Sequence, residues 1–507
     1  MSTTIETPRR DAAEETDVPH THVAIIGTGF GGLGSAIRLR QEGFDDFLLL
    51  ERADDVGGTW RDNSYPGCAC DVPSNLYSFS FELNPEWHHS FSRQPQIYDY
   101  LKGVAAKHGL EPHLRLGHEV LGADWDPDRQ RWAIETSKGR LTADVLVGAM
   151  GGLSDPAIPD IQGLEDFAGP VFHSATWDHS VDLHGKRVIV VGTGASAIQF
   201  VPEIQPLVAH LDLFQRTPPW VLPRRDRTIG ELEHRVYRRF PRLQRAVRGA
   251  IYWAREGMVV GFRHPTVMRA LEPVAVKHLE AGVKDPEKRA KLRPSFRLGC
   301  KRVLLSNAYY PALDADNVDV VTDGIAEVVA DGVLDGAGVE HEADVIILGT
   351  GFQVFDIPIA HRVRDAAGRT LADHWQGSMN AHLGTTVTGF PNLFFMLGPN
   401  TATGHTSVVY MIEAQVEHLV GALKHLRATG GAEVEVRPEA QQDFNRHVQQ
   451  KTDGTVWTSG GCSSWYLDAQ GRNTTLWPTF TKPFADDATR FDPAEHVVRP
   501  ARDPAAA

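Results

Sequence analysis

Cysteine is scarce, with four among 507 residues: Cys68, Cys70, Cys300 and Cys462. Their spacing makes neither a C-x-x-C redox pair nor a zinc pattern, so reduced thiols in a cytosolic protein are expected. Long apolar runs are missing. None approaches the roughly 18–20 residues of a membrane helix. The first 20 residues are polar and acidic, with no apolar stretch behind a basic start, so no signal peptide is expected. Long Lys/Arg runs are missing too. The 51 basic residues face 65 acidic ones for a net charge of −14, which argues against nucleic acid or anionic lipid as the main partner. The 23 histidines show no H-x-x-x-H or mixed His/carboxylate spacing, and no metal is expected. What is present is ordinary globular composition, 42% hydrophobic and 23% charged. The length suggests two to four domains, with a core large enough to stand without disulfides. These features together describe a soluble, cytoplasmic, multidomain protein.

Residues 1–20 and 499–507 read as disordered tails. Order begins at HVAIIGTGFGGLGSAIRLRQEGFDDFLLLER, a β-branched run, a glycine turn, an amphipathic helix and a second apolar strand ending at Glu51. That is one βαβ unit. The pattern returns at KRVIVVGTGASAIQFVPEI…HLDLFQRT. A third apolar strand, ADVIILGTGF, ends on glycines without a following helix of that kind. The expected fold class is therefore α/β, with two Rossmann-like dinucleotide-binding domains. The first spans 21–155 and resumes at 386–498. The second spans 156–225 and resumes at 297–385, interrupted by a helical insertion at 226–296, where Arg/Leu/Ala-rich sequence takes helical spacing.

Gly27, Gly29 and Gly32 form G-x-G-x-x-G between a strand and a helix, the context that the dinucleotide fingerprint requires. The helix N-terminus then faces a pyrophosphate, and Glu51 can accept hydrogen bonds from a ribose. The alternative is a purely structural turn. The second set is Gly192, Thr193, Gly194, Ala195, Ser196 and Ala197, a G-x-G-x-x-A. Its second strand ends in Arg216-Thr217 instead of an acid. A guanidinium there pairs with a 2′-phosphate that an acid would repel, which favours NADP(H) over NAD(H). A solvated surface charge is the plain alternative for Arg216. Two such sites favour a flavoprotein that collects hydride from NADPH, with FAD in the first domain. A disulfide reductase would need a redox cysteine pair; Cys68 and Cys70 read as packing residues.

The segment FAGPVFHSATWD places Phe167, Gly169, His173, Trp177 and Asp178 in the spacing F-x-G-x-x-x-H-x-x-x-W-[P/D]. It resembles the fingerprint of the Baeyer–Villiger monooxygenases, relatives of the flavin-containing monooxygenases. The stretch GGTWRDNSYPGCACD is similar to that family's G-G-x-W-x-x-x-x-Y-P-G-x-x-x-D, and GCKRVLLSNAYYP to its segment with the active-site arginine. The likeness runs from about residue 20 to 490.

The resemblance implies an FAD-dependent enzyme that consumes NADPH and O2 and converts ketones to esters or lactones. In the family this proceeds through a C4a-peroxyflavin and a tetrahedral Criegee adduct. Such chemistry needs a fixed cation for two successive anions, and arginine cannot lose its proton. Arg302 is the implied candidate and Asp71 its orienting partner. Lys301, Arg216 and Thr217 fall at positions near the NADP 2′-phosphate. Thr59, Trp60, Arg61, Asp62, Tyr77 and Val120 match flavin-contacting positions. His173 reads as coupling domain motion to cofactor position, or as a hydrogen-bonded structural residue. Trp465, in a loop expected to close over the nicotinamide, could donate its indole N–H to the coenzyme or serve as a buried anchor. Asn400 and His405 could face flavin or substrate. Two alternatives stay open: an N- or S-oxygenating flavin monooxygenase, and a flavin/NADPH redox sensor acting on a partner.

Overall fold

The computed structural model describes residues 18–354 and 356–502. The expected tails lie outside these residues at 1–17 and 503–507. Elsewhere they are corrected, because β1 (His20–Ile26) already begins at His20 and the last strand includes Arg499 and Pro500.

The first βαβ unit is β1, α1 (Phe30–Gln41) and β2 (Phe47–Glu51). The apolar run of β1 is buried on both faces, as a central parallel strand requires. The chain then makes α2 (Thr59–Asp62), α3 (Gln94–Lys107) and β3 (Leu114–Leu116), followed by the meander β4 (Val120–Asp126), β5 (Arg131–Thr136) and β6 (Gly139–Gly148). The second domain opens with β7 (Val171–His173), β8 (Arg187–Val191), α4 (Ala197–Ile204), β9 (His210–Phe214) and β10 (Val221–Leu222). Five helices follow: α5 (Glu231–Arg239), α6 (Pro241–Glu256), α7 (Val259–Arg263), α8 (Pro265–Gly282) and α9 (Pro286–Lys291). Arg248 of α6 donates to the Leu76 carbonyl (3.0 Å) and Gln244 to that of Asn84 (2.7 Å), so this insertion leans on the first domain.

Next come β11 (Leu304–Leu305), α10 (Tyr309–Leu313), β12 (Val318–Val321), the antiparallel β13 (Ile325–Val329), β14 (Gly332–Asp335) and β15 (Glu340–Glu342), and then β16 (Val345–Leu348). The second sheet is wholly parallel in the order β12-β9-β8-β16-β7. The chain returns to the first sheet through β17 (Val363–Arg364), α11 (Leu371–Trp375) and β18 (Leu393–Phe395). That sheet runs β17-β4-β5-β6-β1-β2-β3, with β18 also on β6. The expected return at 386 is thus corrected: Ala360, Val363, Leu371 and Trp375 already pack with Ile26, Leu50 and Trp132. Buried α12 (Val408–Thr429) covers α1. The chain ends with β19 (Gly431–Val436), α13 (Pro438–Thr452), α14 (Val456–Ser459), α15 (Thr481–Ala488) and β20 (His496–Pro500).

In each sheet the first strand of the βαβ unit has neighbours on opposite sides, β2 and β6 around β1, and β9 and β16 around β8. Such switch points open crevices at the carboxyl ends of strands. The two chain crossings between domains run side by side, Ala157 N–H donating to Gly351 O and Gln353 N–H to Asp155 O, both at 2.9 Å. No helix among the described residues is long and apolar enough to cross a membrane.

Candidate active site

The first crevice is shaped by its glycines. Gly27 turns at φ +97°, and a Cβ there would lie 2.7 Å from the Ala149 carbonyl oxygen. A Cβ on Gly32 would lie 1.9 Å from the Gly27 oxygen, so helix and strand touch. At Gly29 the nearest atom would be 3.9 Å away, on Gly58. That open space lies before the N-terminus of α1, which has no side-chain cap. Uncapped N–H groups beside an open cradle fit a pyrophosphate. Glu51 is 5% exposed at the end of β2. It accepts from the Thr28 hydroxyl (2.6 Å) and pairs with Arg61 (3.1 Å).

Around this cradle, Gly57 N–H donates to Thr28 O (3.0 Å), which places α2 with Thr59 over the turn. Arg61 also pairs with Asp62 at 2.7 Å. Trp60 donates its indole N–H to the Tyr77 hydroxyl (3.2 Å). Val120 is buried with Ile26 and Leu50 at the start of β4.

The second cradle repeats the arrangement. Gly192 sits at φ +105°, with the Gly349 oxygen 2.5 Å from where a Cβ would be, whereas at Gly194 that distance is 3.9 Å. Ala197 is fully buried and Ser196 caps nothing with its side chain. Ala195 lies between Gly194 and Ser196, before α4 begins. Thr193 donates its hydroxyl to the Thr217 carbonyl (3.2 Å). Arg216 is exposed and lies near Lys301. Burial, and then the Arg216 charge, push the Lys301 ammonium below its ordinary pKa. Two neighbouring cations, with no carboxylate paired to either among the described residues, suit a phosphate dianion.

Between the cradles runs the loop after α2. Tyr65 donates to Gln199 Oε1 (3.1 Å), and Gln199 Nε2 to Ala69 O (2.9 Å), docking the loop on α4. It delivers Asp71 to Arg302 in a two-pronged contact, Nε to Oδ2 and Nη2 to Oδ1, both at 2.8 Å. The fork leaves Nη1 out of it. Their side chains keep 34% and 28% exposure, so the pair lines an open cleft. The Asp71 charge raises the Arg302 pKa. Burial pushes the Asp71 carboxyl up, and Arg302, with the Arg255 charge and a backbone hydrogen bond, more than offsets this and holds it below the ordinary carboxylate range. Lys301 and Arg302 are consecutive, so one short segment serves the second cradle and the cleft together.

The structure adds residues that sequence motifs did not single out. Arg255 of α6 donates to the Asp71 carbonyl (2.9 Å), and Arg224 to that of Cys70 (3.0 Å). Both come from outside any fingerprint, and burial lowers the pKa of each. The buried Tyr466 hydroxyl lies beside the Arg302 guanidinium; burial pushes its pKa up to about 12. The Trp465 ring lies tilted by 59° against Tyr466, centroids 4.6 Å apart, and its indole N–H has no hydrogen-bond partner among the described residues. His405 is enclosed against Glu256 (3.0 Å), and Asn400 donates to Asn473 O (2.8 Å), so both serve packing around the C-terminal segment.

The F-x-G-x-x-x-H fingerprint forms the edge strand β7. Phe167 is buried, and Gly169 lies against the Asp344 carbonyl. Trp177 packs between Phe172 and Phe200, and Asp178 accepts from Ser180. His173 touches Phe352 of the paired crossings, and burial lowers its pKa. The expectation of four reduced thiols is corrected: Cys300 and Cys462 form a disulfide across 162 residues. Distant segments meet there, which spacing cannot reveal. Cys68 and Cys70 are free and buried, and burial pushes the Cys68 thiol up to about 12.

Residues 24–261 match the family described as pyridine nucleotide-disulphide oxidoreductase. A Baeyer–Villiger monooxygenase of Streptomyces coelicolor is 54% identical over 95% of this chain and 93% of its own. The chain belongs to the Baeyer–Villiger monooxygenases. The crystal structure of cyclohexanone monooxygenase from Rhodococcus sp. Phi1 bound to NADP+ has a TM-score of 0.83 at 28% identity, covering 96% of this chain and all of that one. The structure of OTEMO in complex with FAD and NADP has a TM-score of 0.86 at 25% identity, covering 95% of this chain and all of that one. The two-domain flavin monooxygenase fold, the NADPH-dependent enzyme class and the FAD and NADP cofactors rest on this membership and on cradles that fit them.

Proposed function

We propose that this Baeyer–Villiger monooxygenase oxidises a ketone to an ester or lactone in the cleft at Arg302, and that it works in the cytoplasm. The observation that carries the reading is the Asp71–Arg302 fork, partly open to the cleft between two dinucleotide cradles. Flavin bound in the first cradle and reduced by NADPH supplies the activated oxygen. The protein's part is electrostatic. Arg302 faces the negative charge that develops on the substrate carbonyl oxygen, and it does so without changing protonation state. Asp71 holds the guanidinium in one orientation, and Arg255 and Arg224 fix the backbone that carries Asp71. Arg216 and Lys301 receive the 2′-phosphate. Trp465 reaches the coenzyme with its unpartnered indole N–H, and His173 couples the two crossings to β7.

Arg302→Ala tests this. NADPH should still bleach the flavin, while ester formation from a ketone panel falls by about 10²–10³-fold, as for loss of an oxyanion donor. Normal ester yields would overturn the assignment. Turnover of thioethers without any ketone product would favour an S-oxygenating enzyme instead.

A further inference from the structure

Cys300 and Cys462 join the two segments that meet at the cleft. Cys300 directly precedes Lys301-Arg302, and Cys462 precedes Trp465 and Tyr466. Tyr466 anchors the far end of the second segment in the core with Trp457 and Leu476, and Cys462 and Trp465 pack against that core, but hydrogen bonds to the rest of the molecule are few before Tyr466. Gly460 O accepts from Arg297 N–H (2.9 Å), and Trp465 O from the Thr475 hydroxyl (3.2 Å). Between those points Gly461, Cys462 and Ser463 make no hydrogen bond among the described residues, and Ser464 accepts only from Tyr466 N–H and from Leu467 N–H just beyond the segment. Gly461 sits at φ +73° beside Gly460, which gives this irregular segment a hinge. The two cysteines differ in exposure, Cys300 being 0% exposed and Cys462 partly exposed.

We propose that Cys300–Cys462 is a reversible thiol latch. Oxidised, it holds residues 460–466 against Arg302; reduced, it releases them. The functional consequence rests on the reading of Arg302 given above. For opening, a thiolate of a dithiol reductant attacks the sulfur of the partly exposed Cys462. The S–S bond breaks, and Cys300 leaves as a thiolate that takes up a proton. The second thiol of the reductant then displaces Cys462 as a thiol, so two electrons reach the protein and the reductant ends as a disulfide. For closing, the Cys462 thiolate attacks hydrogen peroxide and gives a sulfenic acid and hydroxide. Attack by Cys300 expels a second oxygen as water and forms the S–S bond. Peroxide is what an NADPH-dependent oxygenase releases when oxygen is reduced without transfer to substrate. The latch would therefore tighten the segment when coupling fails.

The test compares the FAD-loaded enzyme, oxidised, with the same enzyme reduced by dithiothreitol and desalted. Alkylation and mass spectrometry score the Cys300–Cys462 link. Chymotrypsin scores release of the segment at Trp465 and Tyr466, and the share of consumed NADPH recovered as peroxide scores coupling. Reduction should speed cleavage and raise the peroxide share several-fold, and hydrogen peroxide should reverse both. Cys462→Ser, on the more exposed side, should behave as the reduced form and ignore either reagent. Reduction of the link with no change in cleavage or peroxide share would make it a static staple and overturn the latch. So would two free thiols that peroxide leaves unlinked. The cleavage readout does not depend on Arg302: redox-dependent cleavage that persists in Arg302→Ala with ester formation intact would sustain the latch and refute the role of Arg302.

Discussion

Arg302 gains its usefulness from a partner that stays ionised. Asp71 has a folded pKa below the ordinary value, so the fork is complete at every pH above the usual aspartate range near 4. Its contribution is lost only as pH falls through the lower, folded value. A limb in the rate profile near neutrality must therefore arise elsewhere, and ester formation should show no titration of this pair between about pH 5 and 8. Asp71→Asn keeps the shape and removes the charge. It should lower kcat for ester formation by about 10²-fold, the scale of a misplaced reacting group, with the KM for NADPH unchanged. A parallel rise in that KM would instead place Asp71 in coenzyme binding. Arg216 belongs to the other cradle. Arg216→Ala should raise the KM for NADPH about 10–100-fold, the worth of one charge-assisted bond, and leave that for NADH nearly unmoved. An equal loss for both coenzymes would remove the 2′-phosphate from its neighbourhood.

At the scale of elements, two glycines of one turn should separate folding from flavin binding. Gly32→Ala forces a Cβ against the Gly27 carbonyl oxygen at 1.9 Å and should destabilise the domain by about 1–3 kcal/mol or more. Gly29→Ala adds its methyl to open space with nothing nearer than 3.9 Å. That variant should keep its thermal midpoint as apoprotein yet purify without the yellow flavin absorbance. Retained flavin would mean that the cradle admits a methyl group. Both cradles were legible in the sequence because a strand, a tight turn and a helix are local, although the atoms that crowd Gly27 and Gly192, the Ala149 and Gly349 carbonyl oxygens, come from distant strands. The Arg302–Asp71 fork was legible only through the family resemblance, since 231 residues separate its partners. Arg255, Arg224 and the Cys300–Cys462 link depend on how the helical insertion and the C-terminal segment close over the cleft, and periodicity carries no register for that. The early return of the chain at β17 was hidden for a related reason: a two-residue strand has no pattern of its own and is fixed by β4.

The whole molecule closes through its C-terminus, and the closure carries a pH dependence of its own. His382, His418 and His496 are buried together, their ring centroids 5.6–6.4 Å apart, where α12, the end of α15 and β20 meet. His418 bonds through Nδ1 to Ala488 O (3.2 Å) and His496 to Asp492 O (2.8 Å). Glu495 lies 3.2 Å from His382. Burial, then the neighbouring His496 and His382, push the His418 pKa down to about 3, and burial pushes that of His496 down to about 4. Both rings are therefore neutral in the folded protein, while the unfolded chain protonates them near 6.5. Below that value the unfolded state binds more protons, so stability is whole above about pH 6.5 and declines as pH falls toward the folded values. Each ring contributes roughly 1.4 kcal/mol per pH unit in that window. The urea midpoint should thus drop from pH 7 to pH 5, and His418→Gln, which keeps a donor for Ala488, should lose about half of that slope. An unchanged slope in the variant would assign the acid sensitivity to other groups and leave the cluster a packing feature.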